Sequence, residues 1–283
     1  MNACLRNGRG GSPTAVLDEA ALSDSERRRV PVLMGTSHAV FVSVDAVGEA
    51  ARERPLVSLR FFTAAGELPA CGHGTVAALA ALAERAGADR YQATVRTPGR
   101  VFAGWSERKT AQRTAAFDPG PVELREATVS ERDAVAPALG LTPATLAPGT
   151  CVASVGRERL LVPVSTRSAL VALAPDFDRL RATCDRFGFL GCYVYTAPTP
   201  EGGVAARMFA PSIGVPEDIA NANSVACLAA RLAGRGAVDL TVDMGDSLGS
   251  PSTITATAQP GPSGTRISLA GAAAITHVVS LTL

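Results

Sequence analysis

The chain has 283 residues, a formal net charge of +1, 47% hydrophobic residues and only 5% aromatic residues. This length allows one large domain or two of ordinary size, and the nearly balanced charge argues against nucleic-acid binding, which needs a sustained basic surface. No uninterrupted apolar segment reaches the roughly 18 residues of a membrane span, so we expect no membrane contact.

The six cysteines form no Cys-x-x-Cys pair, and their spacing suggests neither a zinc site nor a disulfide framework. The amino terminus lacks the basic region and long apolar run of a signal peptide. We therefore expect a reduced, cytoplasmic protein without a metal centre.

In the first half, short apolar runs at 2–5 and 14–17 flank a glycine-rich turn that ends in Ser12-Pro13. The backbone of such a turn can approach a ligand closely. A polar helix from Ser23 to Val32 follows, and His38 stands at the entrance to the next strand. The remaining elements are predicted as a helix through Ala86 and strands at 39–44, 56–63, 91–97, 100–104 and 113–117.

The second half begins after Asp118-Pro119-Gly120-Pro121, which is the best candidate for a hinge because proline and glycine interrupt both helices and strands. We predict helices at 130–139, 165–173 and 176–188, and strands at 151–155, 159–164, 192–196, 204–209, 238–242, 253–258, 266–269 and 275–282.

At two places, about half a chain apart, polar residues crowd onto the start of an almost wholly apolar helix. Each place follows a strand, ending near Phe62 or Phe209, and a turn with glycine and proline. The first amides of a helix have no acceptor within it, and the helix dipole favours an anion there. The repeat predicts a small carboxylic acid between two duplicated halves. The two helix starts are Cys71-Gly72-His73-Gly74-Thr75 and Asn221-Ala222-Asn223.

Runs of strands interrupted by one apolar helix in each half predict an α+β fold in which a curved sheet wraps around each helix. A doubly wound parallel sheet would require regularly alternating helices and a Gly-x-Gly-x-x-Gly turn after the first strand. The sequence has neither.

Four motifs in order are typical of one family. They are Gly10-Gly11-Ser12-Pro13, Phe62-Thr63 followed by Glu67-Leu68-Pro69-Ala70-Cys71-Gly72-His73, Glu217-Asp218, and Gly249-Ser250-Pro251-Ser252. In this order the chain resembles the PhzF-type isomerases, which are named for phenazine biosynthesis and related to diaminopimelate epimerase. The resemblance covers nearly the whole chain.

The resemblance implies two similar halves, each a rolled, mostly antiparallel sheet around a central helix, with the active site between them. It assigns residues 1–118 and a returning strand at 270–283 to the first half, and residues 119–269 to the second. We expect the two sheets to be separate. The resemblance also implies that no metal or organic cofactor is needed, and a homodimer is compatible with it.

The resemblance implies proton transfer. The family's acid/base glutamate lies in a Ser-Glu-Thr-Thr-Phe-Val-like segment, and His38 occupies the glutamate position here. Because imidazole titrates near pH ~6.5, it can take up a proton and return it. We expect His38 to carry the proton, and His73 and Asp218 to position it, bind the substrate or share the proton. Substrate binding is expected at Ser12, Cys71, Gly72, Gly74, Thr75, Asn221, Ala222 and Asn223.

These expectations describe an isomerase that shifts a double bond in a small unsaturated, amino-acid-like carboxylic acid, in the biosynthesis of an antibiotic or another secondary metabolite. Two alternatives stay open. An epimerase would use Cys71 with a second base, although the second loop offers no matching thiol before Cys227. A non-catalytic binding protein of the same fold would explain why Asn-Ala-Asn replaces the family's Thr-Gly-Ser.

Overall fold

The computed structural model describes residues 1–45, 54–109, 112–142, 145–234, 236–261 and 264–281. The strands of the first half are β1 (Asn2–Ala3), β2 (Ser12–Asp18), β3 (His38–Asp45), β4 (Leu56–Phe62), β5 (Glu67–Leu68), β6 (Arg90–Thr97), β7 (Arg100–Lys109) and β8 (Gln112–Phe117). The strands that follow along the chain are β9 (Glu123–Glu126), β10 (Cys151–Val155), β11 (Arg157–Val164), β12 (Cys192–Thr196), β13 (Gly203–Ala210), β14 (Val215–Asp218), β15 (Val238–Met244), β16 (Ser252–Gln259) and β17 (Arg266–Ala274).

The helices are α1 (Asp24–Leu33), α2 (Gly72–Arg85), α3 (Val129–Ala138), α4 (Arg167–Val171), α5 (Phe177–Phe187) and α6 (Ala222–Ala233). No helix in the described part of the chain is long and apolar enough to span a membrane. The predicted polar helix is confirmed, and Ser23 caps it in a reciprocal pair of hydrogen bonds with Glu26.

The first half is a closed barrel around α2. Its strands pair in the order β1, β2, β3, β4, β6, β7, β8 and β17, and β17 returns to β1. A helix inside a barrel this small needs short side chains, and the buried part of α2 from Val76 to Ala83 consists of alanine, valine and leucine. The helix is buried from Gly72 to Ala83, and only its carboxyl end reaches the surface.

The second half repeats the first strand by strand. Strands β10 to β13 pair as β1 to β4 do, including a parallel pair in the middle, and β13 pairs with β15 as β4 pairs with β6. Helix α6 takes the place of α2, while α3 and α5 cover the outer face of this sheet. The expected α+β fold with two pseudo-symmetric halves is confirmed.

One detail of the repeat lies at the turn before each central helix. In the first half, Arg60 pairs with Glu67 at 2.8 Å and its guanidinium lies over the ring of Phe62. In the second half, Arg207 pairs with Glu217 at 2.8 Å, over the ring of Phe209. Glu67 is thus a structural residue of the turn.

Strand β17 corrects two expectations. It pairs with β16 of the second half and with β8 and β1 of the first. The expectation of two separate sheets is wrong, because this strand joins them into one continuous ladder. The strand expected at 275–282 is also wrong over 275–281, where the chain has no strand; residues 282 and 283 lie outside the described residues.

Candidate active site

The two central helices start at the same place, where the halves meet. Gly72 of α2 lies so close to α6 that a Cβ atom on it would come within 2.4 Å of the Ala222 Cβ. A cleft of about 640 Å³, counted to its open mouth, lies beside this contact.

Most of the expected site residues line this cleft. They are His38, Cys71, Gly72, His73, Asp218, Asn221, Ala222 and Asn223. Ser12, Gly74 and Thr75 are not among its described lining residues. Gly74 and Thr75 build the start of α2 instead, since the Gly74 amide donates to the Cys71 Sγ at 3.4 Å and the Thr75 hydroxyl donates to the Cys71 carbonyl at 2.9 Å.

A pair of buried histidines stands at the first-half wall of the cleft. The rings of His38 and His73 meet edge to face, with centroids 4.4 Å apart. The Nδ1 of His73 lies 2.9 Å from the Ala220 carbonyl oxygen. Because a carbonyl only accepts, this nitrogen carries a proton, and Nε2 faces the Cys71 Sγ at 3.4 Å. The Nδ1 of His38 lies 2.8 Å from the Ser37 hydroxyl.

The surroundings shift the pKa values of the two histidines in opposite directions. Burial lowers the pKa of His38 well below 6.5, and neighbouring His73 lowers it further. Burial also acts to lower the pKa of His73, but Cys71, Asp218 and the Ala220 carbonyl together raise it to about 9. These opposite shifts favour a neutral His38 beside a protonated His73, an arrangement typical of acid/base sites.

The second-half wall is built on the start of α6. Asp218 accepts from the Asn221 side-chain amide at 3.0 Å and from the Ala220 amide at 3.4 Å. The Asn221 Oδ1 in turn accepts from the Ser224 amide at 2.9 Å and so caps the helix. Asp218 therefore orients the capping residue, and it also raises the pKa of His73 from this side of the cleft.

Sequence reasoning missed Arg159 and Arg157, which both line the cleft. Arg159 is only 1% exposed. The available signal was alternation along β11: Arg159 and Leu161 point to the same side of the strand, and Leu161 is in the core. A charged residue at an inward-facing position is the type of deviation that marks a site.

Three donor atoms are close enough to share a cation. One nitrogen from each of His38 and His73 and the Cys71 Sγ all lie within 4.8 Å of one another. Imidazole and thiolate are ligands that zinc accepts. Each histidine also has a partner without a metal, Ser37 for His38 and the Ala220 carbonyl for His73.

Fold and cleft together define a two-lobed α+β protein in which buried titratable residues and two helix starts meet between pseudo-symmetric halves. The chain belongs to the phenazine biosynthesis-like family, PhzC-PhzF, whose sequence profile matches residues 6–278. The resemblance to PhzF-type isomerases is thereby confirmed.

Individual relatives agree with this assignment. An uncharacterized isomerase of Deinococcus radiodurans is 30% identical over 264 residues, which cover 87% of this chain and 81% of the relative. The structure of a predicted epimerase from Pseudomonas aeruginosa matches with a TM-score of 0.81 at 23% identity, covering 99% of this chain and 98% of its own. A PhzF-family phenazine biosynthesis protein of Bacillus anthracis matches with a TM-score of 0.79 at 19% identity, covering 95% and 93%.

Proposed function

We propose that this chain is a cofactor-independent isomerase that moves a proton along a small unsaturated carboxylic acid. The isomerase class follows from the family, and the relative from D. radiodurans carries the same description. The observation that carries the proposal is the edge-to-face pair of His38 and His73 in a buried cleft, with pKa values shifted in opposite directions.

The chemistry needs a base, a delocalised intermediate and a proton donor. His38, neutral at pH 7, takes the proton from a C–H bond adjacent to the double bond. The electron pair of that bond forms the new double bond, and the charge spreads through the conjugated system toward the carboxylate. Protonated His73 stabilises this charge, and His38 then returns the proton to the far carbon. His38 ends in its starting state, so no further reactant is required.

Two alternatives predict different products. Inversion of an α-carbon would need bases on both faces of the substrate, and Asn221 occupies the place in α6 that Cys71 occupies in α2. Asn221 is a helix cap, and its carboxamide is neither a base nor an acid near neutral pH. A non-catalytic binding protein would bind the same acids and transfer no proton.

The phenazine biosynthesis-like description of the family supports a role in natural-product biosynthesis. We further propose that the substrate is amino-acid-like, because the cleft combines a carboxylate, Asp218, with cationic residues. Asp218 would attract an ammonium group, and the helix starts would attract the acid.

The test uses deuterium oxide. The protein is incubated with small unsaturated amino acids and with a metabolite extract, and mass spectrometry detects any compound that gains deuterium and changes double-bond position. Such a compound, formed by wild type but not by His38→Ala, supports the proposal. A compound that binds the cleft of wild type, gains no deuterium and stays unchanged would favour the binding-protein alternative, and stereochemical inversion alone would favour the epimerase.

A further inference from the structure

Arg159 is a buried cation without an acidic partner. Its Nη1 donates to the Ser224 hydroxyl at 3.1 Å and its Nη2 donates to the Arg157 carbonyl at 3.1 Å. The Nε has no hydrogen-bond partner in the described part of the chain. No carboxylate among the described residues forms an ion pair with it, and Asp218, the acid that lines the cleft, is bonded to Asn221.

Leaving a charge buried and unpaired is costly, since the guanidinium loses its hydration without gaining a counter-charge. Burial lowers the pKa of Arg159, neighbouring Cys227 acts to raise it, and Arg157 acts in the same direction as burial. A guanidinium nevertheless stays protonated in proteins. An anion that enters the cleft would balance this charge.

The surroundings of Arg159 are arranged for an anion. The start of α6, with its first amides and the positive end of its dipole, lies beside the guanidinium, which contacts the N-cap Asn221 at 3.4 Å. Arg157 adds a second positive charge to the same wall. The Nε of Arg159 is itself buried and makes no hydrogen bond to any described protein group.

We propose that the carboxylate of the substrate binds to Arg159 at the start of α6. That the bound acid is a substrate rests on the proposed function, whereas the binding of an anion at Arg159 does not. The second half then holds the acid, and the first half, with its two histidines, does the proton transfer. This assignment limits the substrate to acids, because a neutral molecule of the same shape would leave the buried charge uncompensated.

The corresponding position in the first half supports this division of labour. Leu160 pairs with Cys192 as Ala15 pairs with Ala39, so Arg159 and Thr14 are equivalent. Thr14 is buried and uncharged, and its hydroxyl donates to the Ser12 carbonyl. The cation is therefore a feature of one half and is not required by the shared architecture.

The test uses sodium acetate as the probe, with sodium chloride at equal ionic strength and acetamide as the neutral analogue. Thermal unfolding and NMR titration are followed for wild type, Arg159→Met, Arg159→Lys and Arg113→Met. Arg113 is the matched control, because it is equally buried but its Nε lies 2.8 Å from a Glu84 carboxylate oxygen.

Acetate should raise the Tm of wild type above that in chloride, and acetamide should not. Arg159→Met should weaken acetate binding about 10- to 100-fold, the scale of one charge-assisted hydrogen-bonded contact. Arg159→Met should also lower the Tm less than Arg113→Met does, because only Arg113→Met breaks an ion pair. Acetate should still raise the Tm of Arg113→Met. If Arg159→Met does not fold, Arg159→Lys should still show weaker acetate binding than wild type.

Equal acetate binding by wild type and the Arg159 variants, or equal stabilisation by acetate and acetamide, would overturn the inference. Because the readout is binding, it is independent of turnover. Acetate binding through Arg159 without any deuterium exchange would keep this site and reject the isomerase proposal. Deuterium exchange by wild type, with acetate binding that does not depend on Arg159, would keep the isomerase proposal and reject the anion site.

Discussion

His38 and Gly191 occupy equivalent positions in the two halves of the fold. Ala39 pairs with Phe62 in the first half as Cys192 pairs with Phe209 in the second, and each of the two residues directly precedes this pair. A Cβ on Gly191 would lie 2.0 Å from the Phe209 carbonyl oxygen. The second half therefore has no room for a side chain where the first half carries its imidazole, which disfavours a symmetric two-base mechanism.

Replacing His38 by alanine tests the assigned base. The chemical step should slow by about 10²–10⁴-fold, with little loss of ligand binding, because one acid/base group contributes on that scale. His38→Glu should recover part of the rate, since it restores the family's carboxylate. Single-turnover deuterium incorporation measures the step, and His277→Ala, at an exposed position, is the control. Wild-type turnover by His38→Ala would shift the base to His73 or Asp218.

The pH dependence follows from the two opposite shifts. The pKa of His73 is raised to about 9, so its protonated form is present below that pH and is lost as the pH rises through it. The pKa of His38 is lowered, so its neutral form is lost only when the pH falls well below 6.5. The rate should thus be flat through neutrality and fall above about pH 9.

His73→Gln provides the check on this assignment, because glutamine does not titrate. Its rate should be lower than that of wild type, and the decline near pH 9 should disappear from its profile. Retention of the same alkaline decline would assign it to a group other than His73.

The contact between Gly72 and Ala222 gives a prediction about packing. Gly72→Ala should destabilise the protein by about 1–3 kcal/mol, because the two methyl groups would overlap. Ala222→Gly should rescue most of this loss in the double variant, since the next atom, the Ala222 Cα, would lie 3.3 Å from the new Cβ. Urea unfolding of the four proteins measures the coupling.

The control for this cycle is Gly99→Ala, at a glycine with no atom near its Cβ position. It should change stability little and show no coupling to Ala222→Gly. Additive effects of Gly72→Ala and Ala222→Gly would mean that the helix starts do not meet as described.

Metal removal separates acid/base chemistry from metal chemistry at the three close donors. Dialysis against a strong chelator should leave the rate unchanged, because each histidine already has a hydrogen-bond partner that orients it. Metal content by mass spectrometry accompanies the assay. A rate that falls on dialysis and returns with zinc would assign the His38, Cys71 and His73 donors to a cation.

Local patterns predicted much of this fold. The Ser23 cap, the strand that begins at His38 and the helix that begins after Cys71 each depend on residues close in sequence. The prediction of a strand at 275–282 was wrong because strand pairing depends on residues far apart in sequence. Its β-branched residues favour an extended chain, but a strand also needs an unpaired edge, and β17 already occupies that place.

Only the site residues that belong to local motifs could be predicted from the sequence. His73 and Asn221 belong to motifs that stand next to a helix start, so their spacing indicated their place. Arg159 lies in a strand whose first residues look like an exposed end, and arginine is usually exposed. Alternation with Leu161 indicates its direction, but its burial depends on the pairing of β11 between β10 and β12, which tertiary structure decides.

Because β17 closes the first barrel, that barrel cannot be completed during synthesis until residue 274 has been made. Until then β1 and β8 keep unpaired edges that can bind other nascent chains. Strands β1 and β17 must also pair although they are far apart in sequence, and such long-range pairing slows folding. A fragment that ends at residue 118 would therefore be expected to aggregate, although it contains both histidines and the whole of α2.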